Sequence, residues 1–231
     1  MKLIAIGDTH GRADWKILAD KHQFDKLVFI GDYFDSLHLD AATQIENFLN
    51  IVSYKRSHPS KVILLFGNHD FHYLPIARQM GEVYSGFQDR HAFRIGELIE
   101  EHLKLLQMCY KEDNYLFSHA GVTHTWLNNA GYIEGEADSF INALFKTQPE
   151  KFLFNGWDPY GDNVTQSPIW VRPASLKKNA YKWETIKQVV GHTRMEKIKI
   201  VKDRYYFIDT LDAARECLIV EEGKASIGKI V

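Results

Sequence analysis

Short apolar runs, each followed by a polar loop, are the feature that most constrains the fold of this chain. Three such runs, Lys2–Ile6, Lys26–Ile30 and Lys61–Phe66, are nearly continuous in apolar residues, which is typical of strands buried on both faces. Helix-like segments, Ala13–His22 and Asp40–Tyr54, lie between them. Strands that alternate with helices predict a parallel sheet built from right-handed crossovers.

The rest of the chain continues this α/β pattern. A helix is expected over Ala92–Leu106, followed by strands over Leu106–Tyr110 and Tyr115–Ser118. Polar turns favour antiparallel pairing among four later strands, Gln188–Val190, Ile198–Val201, Tyr205–Ile208 and Cys217–Glu221. One face of the helix over 40–54 is expected to belong to the core and carries Ile45, Phe48, Leu49 and Val52.

Composition limits the class of protein. With 231 residues, 45% of them hydrophobic, and no internal repeat, we expect one domain over 1–231 with a loop-rich insertion at about 131–187. The formal net charge of -2 gives no global basic field, so nothing indicates binding to duplex nucleic acid. We find no signal-peptide core and no apolar run of the ~20 residues that a membrane span needs. Cys109 and Cys217 are expected to be buried free thiols, and a cytoplasmic location is expected.

The polar loops lie directly after the strands. Ligands of open α/β sheets gather at the carboxyl ends of strands, and five predicted strand ends here carry Asp, Asn or His, four of them beside a glycine. Taken singly, each loop is better explained as a turn or a helix N-cap. Taken together, they predict one site, and the five loops read GDTHG, GDYFD, GNHD, SHAG and GHT.

Six side chains in these loops could bind metal ions. They supply carboxylate and amide oxygens and imidazole nitrogens without a thiolate, a set that suits Mn, Fe or Zn in a catalytic site. Six donors are too many for one open catalytic ion, but they suit two divalent ions that share a carboxylate. These candidate ligands are Asp8, His10, Asp32, Asn68, His119 and His192.

The order of the five motifs, from Gly7 to Thr193, resembles that of the calcineurin-like metallophosphoesterases. SHAG and the continuation GNHDFHYL look closest to the branch that contains the phosphoprotein phosphatases and the bacterial diadenosine tetraphosphatases. The resemblance implies an α/β fold, a four-layer α-β-β-α sandwich of two mixed sheets. It also implies that one metal is held by Asp8, His10 and Asp32, and the other by Asp32, Asn68, His119 and His192.

The resemblance further implies the catalytic groups. His69 would protonate the leaving group, with Asp35 orienting the imidazole, and Asn68 would also contact the substrate. Two positions depart from the family, because Ser36 stands where many relatives carry a phosphate-binding arginine and Arg194 where many carry a metal-binding histidine. Arg172, in SPIWVRP, is the candidate replacement for the missing arginine, ahead of Arg12 and Arg194.

Other polar and aromatic residues near the motifs admit two interpretations. Asp70 is expected to serve a turn or to support the ligands, and His72 and His124 are further candidates for such support. The insertion is a candidate substrate wall, and its aromatic residues could stack on a base or pack a small core of their own. Packing is favoured for this set, which comprises Trp157, Tyr160 and Trp170.

The expected function is hydrolysis of a phosphoester by a hydroxide bound at a two-metal centre. The substrate would be a phosphomonoester, a phosphoprotein or a nucleotide. The alternative is a catalytically poor, metal-containing module that binds a phosphorylated ligand, although such a module has no need of a proton donor at His69. A phosphatase that uses Asp8 as nucleophile is disfavoured, because His10 stands where such enzymes carry a second aspartate.

Overall fold

A computed structural model of the chain describes residues 1–230, which form two mixed β-sheets. Strands and helices are numbered here in chain order. Within the described residues, the first sheet has six strands, in the order β11 (Lys224–Lys229), β10 (Glu216–Glu221), β1 (Lys2–Ile6), β2 (Lys26–Phe29), β3 (Val62–Leu65) and β4 (Leu106–Gln107). Strands β1 to β4 are parallel, and β10 and β11 are antiparallel additions at one edge.

The second sheet is mixed as well. In residues 1–230 it has five strands, in the order β5 (Cys109–Glu112), β6 (Tyr115–Ser118), β7 (Lys187–Val190), β9 (Tyr205–Phe207) and β8 (Lys199–Val201). Its three central strands, β6, β7 and β9, are parallel, and both edge strands are antiparallel to their neighbours. The first sheet therefore directs the carboxyl ends of four adjacent strands toward one edge, and the second sheet those of three.

Helices connect the strands. They are α1 (Asp14–Lys21), α2 (Ala41–Ser57), α3 (Asn68–Phe71), α4 (Pro75–Gln79), α5 (Ala92–His102), α6 (His124–Asn129), α7 (Ala137–Thr147) and α8 (Pro173–Asn179). Short 3₁₀ turns lie at Asp89–His91, Leu103–Leu105 and Pro149–Phe152. The N-terminus of α2 is capped by Asp40, whose carboxylate accepts a hydrogen bond of 2.7 Å from the backbone N–H of Thr43.

The alternation of side chains along the strands builds the layers. In β1, Leu3 and Ala5 point to the second sheet and pack in one cluster with Phe117 and Tyr206. The opposite face of the first sheet packs against α1, α2 and α5, and the opposite face of the second sheet packs against α8. The structure thus confirms the expected four-layer α-β-β-α sandwich of two mixed sheets.

The expected strand over Leu106–Tyr110 is wrong, because the chain changes sheets within it. β4 ends at Gln107 and pairs with β3, whereas β5 begins at Cys109 and pairs with β6. The side chain of Asn142, on α7, holds the crossing point: its Oδ1 accepts hydrogen bonds from the backbone N–H groups of Met108 (2.8 Å) and Cys109 (3.1 Å).

Other expectations need smaller corrections. The C-terminal strands are not uniformly antiparallel, since β7 and β9 run parallel. β11 is a further strand that was not expected from the sequence. In α2, Phe48 is fully buried, but Leu49 is 38% exposed and so does not belong to the core. The segment over 131–187 contains two helices, α7 and α8, as well as loops.

The structure also describes the cysteines and the character of the helices. Cys109 and Cys217 are buried and free, as expected. In the part of the chain that the structure describes, no helix combines the length and the apolar character that crossing a membrane requires.

The contrast between neighbouring residues of α2 gives a stability test. Phe48 packs against Tyr33 and Phe34, with ring centroids 5.4 and 5.1 Å away. We expect Phe48→Ala to lower the free energy of unfolding by about 3–5 kcal/mol, because it leaves a cavity. The matched control, Leu49→Ala, should cost less than about 1 kcal/mol. Urea denaturation measures both, and similar losses for the two variants would contradict this burial pattern.

Candidate metal centre

The candidate site lies where the carboxyl ends of the two sheets meet. Loops after β1, β2 and β3 carry Asp8, His10, Asp32 and Asn68, and loops after β6 and β7 carry His119 and His192. Adjacent loops are hydrogen-bonded to each other: the backbone N–H of His10 donates to the carbonyl of Asp32 (2.8 Å), and that of Gly191 to the carbonyl of His119 (2.8 Å).

Glycines in these loops allow the backbone to approach the carboxylates. A Cβ atom on Gly67 would lie 2.0 Å from Oδ1 of Asp32, and one on Gly191 would lie 2.0 Å from Oδ1 of Asp8. Neither position has room for any other residue. These two loop glycines are therefore explained by close packing rather than by a turn.

Four residues of the candidate site have left-handed backbone conformations. Their φ values are +42° for His10, +52° for Asp32, +70° for Asp35 and +61° for His192. Non-glycine residues rarely adopt this region, and each such residue stores free energy on the order of 1–3 kcal/mol. All four residues lie in the loops that follow the strands and bring these side chains together.

Asp70 ties two of the loops together. Its carboxylate accepts hydrogen bonds from the backbone N–H groups of Gly67 (2.9 Å), Asp32 (2.9 Å) and Tyr33 (2.8 Å). The side chain of Asp70 is buried, and its carboxylate binds backbone N–H groups rather than the side chains of the six candidate ligands. The expectation that Asp70 supports the ligands is thus met by three hydrogen bonds.

The structure brings all six candidate ligands together. Oδ2 of Asp32 lies 3.3 Å from Nε2 of His119 and 3.9 Å from Nε2 of His10. Donor atoms of Asp8, Asp32 and His119 all lie within 4.8 Å of one another, a spacing that can hold a metal ion.

Asn68 belongs to the same group of donors. Its Oδ1 lies 2.9 Å from Nε2 of His119 and 2.8 Å from Nδ1 of His192. Oδ2 of Asp32 is thus close to the Nε2 atoms of both His10 and His119.

Backbone carbonyls orient the imidazoles. Nδ1 of His10 donates to the carbonyl of Phe34 (2.5 Å), and Nδ1 of His119 donates to that of Ile30 (3.0 Å), so that Nε2 of each ring faces Asp32. His192 is turned the other way: its Nε2 donates to the carbonyl of Trp170 (3.0 Å) and its Nδ1 faces Asn68. A carbonyl that fixes the tautomer of a ligating histidine is a common feature of metal sites.

The electrostatics of the cluster fit bound cations. Burial, Asp209 and Asp32 together raise the pKa of Asp8 well above its usual value. Burial opposes ionisation of Asp32 as well, but the charges of His119 and His69 hold its pKa well below the usual value. Burial lowers the pKa of His10 and His192, which keeps both rings neutral and able to bind metal. Crowded, buried carboxylates beside imidazole nitrogens form a donor set that divalent cations would stabilise.

Asp209 is a residue of this cluster that the sequence analysis missed. It follows β9 and is buried, and its charge is one of the causes that raise the pKa of Asp8. Burial and the charge of Asp32 raise its pKa to about 6. The available signal was its place at the end of the apolar run Tyr205–Ile208, but no glycine marks this loop.

His69 and Asp35 form a pair beside the candidate ligands, in which Asp35 is buried and His69 is partly buried. Nδ1 of His69 lies 2.8 Å from Oδ2 of Asp35, and the ring of His69 meets that of His10 edge-on, with centroids 5.4 Å apart. Burial alone lowers the pKa of His69, but the charge of Asp32 and the hydrogen bond with Asp35 raise it to about 9.

Asp35 has two further partners. Nε2 of His72 lies 2.6 Å from the same Oδ2, and the hydroxyl of Tyr73 donates to Oδ1. Donor atoms of Asp35, His69 and His72 lie within 4.8 Å of one another, so these residues form a second group that could hold an ion. Although Nε2 of His72 is close to Asp35, neither buried ring nitrogen of His72 makes a hydrogen bond among the described residues. His124, the other candidate for support of the ligands, instead pairs with Asn128 on α6.

The three candidate phosphate-binding arginines differ in their partners. Arg12 and Arg194 both form ion pairs with Asp212. Arg172 forms no ion pair within residues 1–230; its Nη1 donates to the carbonyl of His192 (3.0 Å), and its Nε donates to the carbonyl of Tyr160 (2.8 Å). The guanidinium of Arg172 thus connects the His192 loop with the insertion.

The insertion's aromatic residues separate into two groups. Trp170 is buried and packs against Tyr84 and Phe154, as expected. Packing is the wrong expectation for Trp157 and Tyr160, which are 88% and 77% exposed. Their rings lie free on the loop that Arg172 holds.

Comparisons with known proteins agree with this geometry. Residues 1–195 match the family model described as calcineurin-like phosphoesterase. A search of curated protein sequences finds no match.

Two solved structures are similar in fold. One is a serine/threonine phosphatase from Saccharomyces cerevisiae with similarity to human phosphatase PP5, at 17% identity and a TM-score of 0.61, over 100% of this chain and 80% of the other. The second is a metallophosphoesterase from Sphaerobacter thermophilus, at 14% identity and a TM-score of 0.53, over 98% and 87% of the two chains.

Thermal unfolding tests the metal centre. At a concentration of Mn²⁺ about a hundredfold above its dissociation constant, we expect the melting temperature to rise by roughly 5–10 °C over a chelator-treated sample. Asp32→Asn should abolish most of this rise, whereas Asp113→Asn, in an exposed turn, should retain it. An undiminished rise in Asp32→Asn would show that Asp32 does not bind the metal.

Proposed function

Because the chain belongs to the calcineurin-like phosphoesterase family, we propose that it hydrolyses a phosphoester at a centre of two divalent ions. Membership makes it a metal-dependent phosphoesterase, and the two-ion centre is the further step. The observation that carries this step is the convergence of six donors around Asp32, with the His69–Asp35 pair beside them.

The donors divide into two sets. Asp8, His10 and Asp32 would hold one ion, and Asp32, Asn68, His119 and His192 the other, in agreement with the orientation of the rings about Asp32. Oxygen and imidazole donors suit Mn, Fe or Zn. Bound divalent ions would polarise the phosphoryl oxygens and make water a stronger nucleophile near neutral pH.

His69 is the group that donates a proton to the leaving oxygen. Its Nδ1 is engaged by Asp35, which fixes the ring and leaves Nε2 as the nitrogen available to a substrate. Its backbone N–H donates to Oδ1 of Asp32 (2.9 Å), so that the proton donor and the shared carboxylate are held in one unit. An intact donor pair of this kind favours catalysis over a module that only binds a phosphorylated ligand.

Arg172 and Asn68 are the proposed contacts to the phosphoryl group. Two guanidinium nitrogens of Arg172 bind backbone carbonyls next to the centre, and among the described residues Nη2 has no hydrogen-bond partner. A guanidinium held in this way can donate to a phosphate oxygen without further ordering. Arg172 would thus take the role of the phosphate-binding arginine that many relatives carry at the position of Ser36.

The substrate is a phosphorylated small molecule, a nucleotide or a phosphoprotein. The exposed rings of Trp157 and Tyr160, on the loop joined to Arg172, offer a surface for the group that carries the phosphate. The two buried free thiols suit a reducing compartment, which supports a cytoplasmic location.

Leaving-group dependence tests the role of His69. We expect His69→Ala to lower kcat/KM by about 10²–10⁴-fold for an alkyl phosphate, whose leaving oxygen needs a proton, and much less for p-nitrophenyl phosphate. Asp35→Asn should act in the same direction, and His91→Ala, at an exposed position, should leave both rates unchanged. Equal losses with both substrates would rule out the proton-donor role, and a wild-type chain without metal-dependent turnover would favour the binding module.

Steady-state kinetics test Arg172. Arg172→Ala should lower kcat/KM by roughly 10- to 100-fold through a higher KM, since charge-assisted hydrogen bonds contribute about 1.5–3 kcal/mol. Arg172→Lys should recover part of the loss, and Arg194→Ala, whose partner is Asp212, should change little. An unchanged kcat/KM in Arg172→Ala, with normal thermal stability, would remove Arg172 from the site.

A further inference from the structure

A cavity of about 670 Å³ lies outside the metal centre, between the end of α8, the segment over 180–183 and the turn that joins β8 to β9. Its lining shares no residue with the candidate ligands, with His69–Asp35 or with Arg172. Five cationic side chains line it, namely Lys177, Lys178, Lys182, Lys202 and Arg204. Such a concentration of one charge is unexpected in a chain with a net charge of -2.

These cations have no acidic partners. Within residues 1–230, none of the five lies within 4.0 Å of a carboxylate oxygen. Asp203, the acidic residue of the β8–β9 turn, is already engaged, because it accepts a 2.8 Å hydrogen bond from Lys187 and another from Tyr206. The positive field of the cavity is therefore not neutralised by the protein.

The helix dipole accounts for only two of these cations. Lys177 and Lys178 lie in the last turn of α8, where the helix dipole favours positive charge. Lys182 and Lys202 come from other segments and have left-handed backbones, with φ of +41° and +54°, where asparagine or glycine would cost less. Like charges that face one cavity repel each other, so an anion bound there would stabilise the chain.

An aromatic ring completes the lining. Trp183 is 58% exposed, lines the same cavity and makes no ring contact with another aromatic residue among the described residues. Exposed tryptophan beside lysine and arginine is the combination that binds nucleotides, with the ring stacked on the base and the cations on the phosphates. The volume lies within the range of pockets that take one small-molecule ligand rather than a long strand.

We propose that this cavity binds a nucleoside polyphosphate, with Trp183 against the base and the lysines and Arg204 on the phosphate chain. The phosphates supply the missing negative charge, and the base covers the exposed ring. The site is separate from the metal centre, so binding does not depend on the proposed hydrolysis.

Calorimetric titration of the full chain with ATP, in excess chelator, tests the proposal. We expect saturable binding that weakens as salt rises and is tighter than that of inorganic tripolyphosphate by on the order of tenfold, the contribution of one stacked base. Trp183→Ala should remove this preference for ATP and leave tripolyphosphate binding unchanged. The absence of saturable ATP binding by the wild type would overturn the proposal.

Charge reversal locates the site. Lys182→Glu combined with Lys202→Glu should weaken ATP binding by at least tenfold. Lys197→Glu combined with Lys199→Glu, exposed residues near the same sheet edge but outside the cavity, changes the net charge equally and should leave binding within about twofold. Equal losses in the two double variants would overturn the proposal, because they would show a diffuse charge effect.

Two further outcomes would also overturn it. One is binding of a single-stranded oligonucleotide that ATP does not displace, which would indicate a nucleic-acid surface. The other is ATP binding that survives Lys182→Glu with Lys202→Glu but is lost in Asn68→Ala, which would place the ligand at the metal centre. A melting curve of each variant serves as the control that the chain is folded.

Discussion

Repulsion among buried carboxylates is the constraint around which this structure is built. Asp8, Asp32 and Asp209 are buried at the junction of the two sheets, where Asp209 and Asp32 raise the pKa of Asp8 and Asp32 also raises the pKa of Asp209. Backbone donors offset part of this repulsion: the N–H of His192 binds Asp8 (2.9 Å), and that of His69 binds Asp32 (2.9 Å). The loops that supply these donors contain the other candidate ligands. The same hydrogen bonds therefore hold the fold together and arrange the metal-binding groups.

Much of the site could be predicted from the sequence because its signals are local. A buried parallel strand is readable as an apolar run, and the loop after it carries its polar residues within a few positions. The six candidate ligands were found in this way, and the structure places them together. Asp209 was missed for a related reason: its loop lacks a glycine, and its partner Asp8 lies about two hundred positions earlier, which no local pattern reveals.

The incorrect predictions have physical causes of the same kind. Leu49 satisfies the helical spacing of a core face but lies at its margin, where accessibility depends on what packs nearby. Trp157 and Tyr160 were expected to be buried because large aromatic residues usually are, and their exposure is decided by the loop that Arg172 holds.

Asn142, in the segment over 131–187, gives that segment a structural role outside the candidate metal centre. Its side chain also donates to the carbonyl of Cys109 (2.8 Å), so that one amide satisfies three backbone groups at the point where the chain passes from one sheet to the other. These three groups lie where the chain leaves one sheet and enters the other, in fully buried residues, so each needs a partner from the protein. α7 therefore stabilises the crossing between the two sheets. A relative without this helix would need other partners for the backbone groups of Met108 and Cys109.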